Sequence, residues 1–101
     1  MLLDQKEIMV IHNAMLNVIN ELDWELTVRT GYDKEEIMNL FERINSNNKL
    51  SKTNDFLIVS QVLNEVCNGY ELINFESMIG ENRDFAITLL EKIDNYIQSL
   101  T

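Results

Sequence analysis

The chain contains no proline and only three glycines, Gly31, Gly69 and Gly80. Proline and glycine most often interrupt regular structure, one by removing a backbone donor, the other by permitting left-handed backbone. A chain with so little punctuation is free to form long helices, and its few breaks are easily placed. Between the breaks, apolar residues recur at spacings of three and four, the pattern of one helical face. The 101 residues, 46% of them hydrophobic, suit a single domain over 1–101 built on one core.

Four helices are expected, giving a mainly α fold. The first runs from about Gln5 to Glu21, with Asp4 as N-cap and Glu7 completing a capping box. Its apolar face is Ile8, Ile11, Met15, Val18 and Leu22. The second runs from about Lys34 to Asn45, with Asp33 and Glu36 as the capping pair and Ile37, Leu40, Phe41 and Ile44 inward. After the polar linker "NSNNKLSKTN", the third spans about Asn54 to Asn68, with Phe56, Val59, Leu63 and Val66 on one side. Gly69 stands where a helix-ending glycine belongs. The fourth begins after Asn82 and carries Phe85, Leu89, Ile93, Tyr96 and Leu100. Each helix has one apolar face, so the four must cover one another.

The connections at 23–30 and 71–79 read less sharply. Trp24, Leu26 and Val28 alternate among β-formers, which suits a short strand. Phe75, Met78 and Ile79 suit a helical turn as well as a strand. Both segments are read as short extended stretches that can pair as a two-stranded antiparallel ribbon.

An internal repeat supports this layout. Placing Gly31 on Gly80 aligns "GYDKEEIMNLFERI" with "GENRDFAITLLEKI", identical at four of fourteen positions. Most other positions are close exchanges, such as Asp33 with Asn82, Lys34 with Arg83 and Arg43 with Lys92. "LNVI" at Leu16 matches "LNEV" at Leu63 further upstream. The halves, about 4–46 and 51–100, therefore each read as helix, apolar segment, Gly, N-cap, helix, in pseudo-symmetric relation. The repeated Gly would supply a positive-φ turn.

Charge narrows the function. Seventeen acids against eight bases give a formal net charge of −9. Nucleic-acid binding needs a basic footprint to neutralise phosphates, and no third of the chain is basic. The phrase "RTGYDKEEIMNLFERI" resembles part of a helix-turn-helix, yet its exposed face offers Glu35, Glu36, Asn39 and Glu42 rather than residues suited to base edges. A phrase used twice is more simply structural. Neither nucleic acid nor an anionic membrane surface is an expected partner, and a helix-turn-helix regulator is the weaker alternative. The stretch "MLLDQKEIMV" lacks the basic start and cleavage site of a signal peptide, and runs such as "FLIV" are too short to span a bilayer. A cytoplasmic location is expected.

Catalytic chemistry finds little support. His12 is the only histidine and Cys67 the only cysteine, so a Cys/His metal site cannot be assembled. No EF-hand-like loop or phosphate-cradling glycine loop occurs. Cys67 lies in an apolar run, where a reduced, buried thiol is expected. Ser51, Ser60 and Ser77 lack a nucleophile-elbow context. Glu21, Asp23 and Glu25 are close enough for acid–base work, but so acidic a chain produces such trios by composition alone. No cofactor, metal or catalytic residue is expected, and the chain is not read as an enzyme.

The same trio reads differently as a binding face. "NELDWELTVRTG" places Trp24 between Asp23 and Glu25 at the end of a helix, with Glu21 one turn back. An aromatic anchor ringed by acids suits docking on a basic protein, since Trp is enriched at interface hot spots. Tyr70 and Glu71 occupy the corresponding place in the second half. The competing reading makes Trp24 a lid on the core. The functional expectation is a small interaction protein of the inhibitor, immunity or adaptor kind, with a homo-oligomeric structural protein (a homodimer, for example) as the alternative.

The phrase "VLNEVCNGYELINFE", followed by a Gly and a helix ending "LLEKI", resembles a group of small bacterial proteins of unassigned function. These carry an "ALNEVCNG"-type motif, then an aromatic, an acid and a Gly before a closing helix. The resemblance covers Val62 to Ile93, and "WELTVRTGYDKEEIMNLFERI" is similar to the same downstream pattern. It implies this architecture and no activity, cofactor or catalytic residue.

Overall fold

A computed structural model describes residues 1–100; Thr101, the last residue of the expected domain, lies outside the described residues. The fold is mainly helical. Helix α1 spans Gln5–Leu22, a 3-10 turn Asp23–Glu25, α2 Leu26–Thr30 and α3 Lys34–Asn47. Then α4 spans Thr53–Asn64 and runs into a π turn at Glu65–Gly69, followed by α5 at Phe75–Ile79 and α6 at Arg83–Ser99.

The long helices start where their caps dictate. The Asp4 carboxylate accepts the Glu7 N–H at 2.8 Å, and the Glu7 carboxylate accepts the Asp4 N–H at 3.0 Å. Asp33 and Glu36 repeat this reciprocal pair at α3, and the Asn82 side chain accepts the Phe85 N–H at 2.9 Å to open α6. Each such cap is worth about 1 kcal/mol. Gly31 and Gly80 take φ of 85° and 99°. Each ends a five-residue helix by donating its N–H four residues back, to Thr27 and Glu76.

The expected ribbon is not formed. Among the described residues there is no strand, and the only bridge is an isolated antiparallel one between Leu2 and Lys49. Residues 23–30 form the 3-10 turn and α2, and α5 occupies Phe75–Ile79. The reason lies in which residues the core claims. Leu22, Leu26 and Thr30 are buried, as are Phe75 and Ile79, while Trp24, Val28, Ile73 and Met78 face out. A spacing of four between buried positions is helical; the alternation of Trp24, Leu26 and Val28 put all three on one strand face, and only Leu26 is needed inside. Propensity for β structure yields to packing here. The third helix also departs from expectation. It widens into the π turn from Glu65, and Gly69 is not in left-handed backbone.

Helix α1 is the axis of the core, packing against α3, α4 and α5, while α4 pairs with α6. Ile11, Met15, Ile37, Leu40, Ile44, Phe56, Leu63, Ile79 and Ile93 are fully buried. Burying one such side chain contributes about 1.5–3 kcal/mol. Leu50, from the polar connection, is also fully buried. It is held because the first residues pair with it: the Leu3 N–H donates to Asn48 and the Leu50 N–H to Met1, at 2.9 and 3.0 Å. Residues 48–52 therefore sit at the start of α1, and Trp24 follows its end. An 18-residue helix separates the two by ~27 Å.

Candidate functional site

At the end of α1, the exposed Glu21 and Asp23 have no ion pair among the described residues. No basic residue lies in the last turn of α1, although a helix C-terminus favours cations. The chain breaks out of the helix at Asp23, with φ of 46° and ψ of −115°, a positive-φ conformation outside the left-handed helical basin that strains a residue bearing a side chain. This break throws Trp24 outward. Trp24 is 81% exposed, and Val28, four residues on, is 85% exposed. Trp24 is therefore no lid on the core; an apolar pair stands in solvent beside Glu21 and Asp23, both exposed.

Most bases elsewhere are committed. Lys6, Arg43 and Lys92 pair with Glu81, Asp55 and Glu7. Arg83 donates to the Cys67 carbonyl and lies over the Phe75 ring. Lys49 and Lys52 stand at the far end of α1, and Lys34 is flanked by Asp33, Glu35 and Glu36.

On the α2 segment that follows Trp24, a polar network ties the two halves together. Arg29, on α2, reaches over to the π turn. Its Nη2 donates to the Gly69 carbonyl at 2.6 Å and stands 2.9 Å from the Glu65 carboxylate, while Nη1 is 3.8 Å from Glu25. The guanidinium also lies over the Tyr70 ring, 5.9 Å from its centre. Glu65 is buried, and its Oε1 receives no in-line hydrogen bond, so charge rather than a directed N–H holds it. The Tyr70 hydroxyl donates to the Asn17 side chain on α1. Burial pushes that phenol far above its ordinary range, helped by the nearby Glu21 and Glu65 carboxylates and opposed by Arg29.

Arg29 thus joins Glu25 and Tyr70 in one network, Glu21 is near enough to Tyr70 to act on it by charge, and Asp23 and Trp24 are exposed. Tyr70 does not match Trp24 in role: it is half-buried against the core, a strut below the face. Glu71 follows it, exposed and, among the described residues, without an ion pair. Sequence reasoning missed Arg29, Glu65 and Asn17. Two signals were available. Glu25 and Arg29 are four apart, the helical ion-pair spacing, and an acid inside the apolar run "LNEVC" demands a partner.

Two other places bear on chemistry. His12 stacks on Phe41, ring centres 4.2 Å apart, with Nε2 buried and unpartnered. An open cleft of about 580 Å³ is lined by Asn39, Glu42, Arg43, Ser46, Asn47 and Lys52. There the Ser46 hydroxyl donates to the Glu42 carbonyl, and Arg43 is held by the buried Asp55. Among the described residues no group of three or more His, Cys, Asp or Glu side chains converges to hold a metal ion, and no helix is long and apolar enough to cross a membrane. In comparisons with known proteins, no family model, no curated protein and no solved structure matches the chain.

Proposed function

We propose that this chain is a protein–protein interaction module, of the inhibitor, immunity or adaptor type, that docks a Trp24-centred acidic face on a basic partner. The observation that carries it is Trp24 itself, 81% exposed, with the exposed Asp23 next to it in the chain and the exposed Glu21 three residues before it. A large aromatic left in water at a strained turn has no use in the core, and Trp is the side chain most able to anchor an interface. The surrounding acids would steer a basic surface toward it. Glu25 and Glu71 extend the acidic rim, and the Tyr70 strut supports it. We read the chain as non-enzymatic, as not binding nucleic acid, and as acting in the cytoplasm; the acidic exposed face of α3 supports the second of these. The two halves are read as diverged copies, supported by the matched five-residue helices, the positive-φ glycines and the Asp33 and Asn82 caps.

The test is capture with immobilised wild type and Trp24→Ala from host extract at about 0.05 M and about 0.5 M salt, followed by titration of the purified binder. Screening shortens to a few ångströms over this range. A basic protein whose direct affinity falls at least tenfold on Trp24→Ala and weakens with salt supports the reading. Binders that are indifferent to both sink it. Self-association is the second reading, favoured by the apolar Leu57, Tyr96 and Leu100 left partly exposed on the α4–α6 side. Measured mass in solution distinguishes it.

A further inference from the structure

Trp24 gets almost nothing from its own contacts: with 81% of its surface in water, packing cannot fix where it points. An anchor that has to be ordered on binding loses affinity to the entropy of ordering it. Something else must hold the turn. Leu26 and Thr30 seat its inner side, the Thr30 hydroxyl donating to the Leu26 carbonyl at 2.7 Å. These fix α2 but do not oppose relaxation of the strained, positive-φ Asp23 that throws Trp24 outward. Among the described residues, the one side chain that leaves this segment and grips another part of the fold by a charged bond is Arg29.

We propose that Arg29 is the positioning residue of the docking face, clamping the Trp24 turn to the π turn so that the anchor is presented in one orientation. The proposal rests on the docking reading for its purpose, but not for its measurement. The geometry is that of a fork. One guanidinium grips the Gly69 carbonyl at 2.6 Å, the Glu65 carboxylate at 2.9 Å and, back on its own segment, Glu25 at 3.8 Å. Glu25 is the residue next to Trp24, so the clamp acts one residue from the anchor. The anchorage is firm because Glu65 is nine-tenths buried and Arg29 is its ion-pair partner. Releasing Arg29 would strand that carboxylate, which is costly. The π turn itself supplies the receiving carbonyl: a wider turn leaves backbone groups outside the regular helical ladder, and such turns are frequent at functional sites.

A lysine separates holding from neutralising. Its single ammonium can pair with Glu65, but it lacks the planar fork that reaches Gly69, Glu65 and Glu25 at once. Trp24 is the only tryptophan, so its fluorescence reports on this turn alone. The experiment compares wild type, Arg29→Lys and the apolar swap Arg29→Met/Glu65→Leu, which removes both charges and keeps the variant foldable. For each, Trp24 anisotropy and hydrogen exchange at 23–30 are measured on the partner-free protein, with exchange across α1 as the internal control. The expected result is a lower anisotropy and roughly tenfold faster exchange at 23–30 in both variants, with α1 unchanged, as local opening predicts. Unchanged anisotropy and exchange at 23–30 in a folded variant overturn the clamp. So does equal acceleration everywhere, which makes Arg29 a general stabiliser. Neither result depends on a partner. Conversely, partner capture that survives Trp24→Ala defeats the docking reading and leaves the clamp standing.

Discussion

The Glu65 carboxylate lies flat against the backbone of Gly69, so close that a β-carbon there would stand 2.6 Å from Oε1 and 2.8 Å from Cδ. Gly69 is therefore a glycine for space and not for backbone angle. Its missing side chain lets Glu65 fold back over the turn and meet Arg29.

Gly69→Ala should push Glu65 aside and cost about 1–3 kcal/mol, the usual range for overpacking. The cost should largely vanish in a Glu65→Ala background, where there is no carboxylate to displace. Equilibrium urea unfolding of the four proteins in that cycle measures the coupling. A cost for Gly69→Ala that is the same in both backgrounds would mean the crowding is not its cause.

Gly31 and Gly80 have the opposite character, since both need positive φ. A β-carbon at Gly31 meets nothing within 4 Å, whereas one at Gly80 meets the Met9 tip at 2.8 Å. Alanine at Gly31 should cost the backbone strain alone, about 1–2 kcal/mol, and alanine at Gly80 more. Thermal or urea unfolding gives the order, and Gly31→Ala proving the worse of the two would contradict it.

Trp24→Ala should leave stability within about 0.5 kcal/mol of wild type, as for exposed sites generally. Phe56, fully buried and stacked on Tyr96 with ring centres 4.5 Å apart, should cost about 3–5 kcal/mol on truncation to alanine. Comparable losses for the two would return Trp24 to the core.

Arg43 and Asp55 make the pair whose removal should matter most on the α3–α4 side. Asp55 is buried and accepts from Arg43 at 2.8 Å. Arg43→Met strands the carboxylate and should cost about 3 kcal/mol, near the low end for a broken buried pair because the arginine itself is partly exposed. Arg43→Met/Asp55→Leu should recover most of it. A double variant no more stable than the single one would show that the bond, and not the desolvated charge, sets the cost.

The caps and long helices were legible because each rests on a local signal. Asp4 with Glu7 and Asp33 with Glu36 announce a helix start regardless of what packs nearby, and Gly31 and Gly80 announce the positive-φ breaks. The class of 23–30 was not legible. Its residues alternate like a strand, and only the core's demand for Leu22, Leu26 and Thr30 turns it helical. Trp24 reads as an anchor or a lid, and choosing between them needs the positive-φ break at Asp23, which no propensity announces. The clamp was hidden for another reason: Arg29 and Glu65 are 36 positions apart in sequence, and their meeting depends on two turns that pattern reading did not draw.

His12 gives the fold a dependence on acid. Burial lowers its pKa below the ordinary value near 6.5, and a hydrogen bond to the Phe41 backbone works the other way but more weakly. Its buried Nε2 has no acceptor waiting for a proton. The unfolded chain therefore binds this proton more readily than the folded one, and stability rises with pH across that interval. The contribution is fully present above the unfolded pKa and is lost as the pH falls through the lower folded value. His12→Gln removes the titration while keeping a polar group of similar reach. Urea unfolding of both proteins between about pH 7.5 and 5 isolates the effect from the carboxylates they share. Wild type should lose stability relative to the variant on acidification. A difference that stays flat, or that grows in favour of wild type as the pH falls, would mean that the protonated imidazole finds a partner inside the fold.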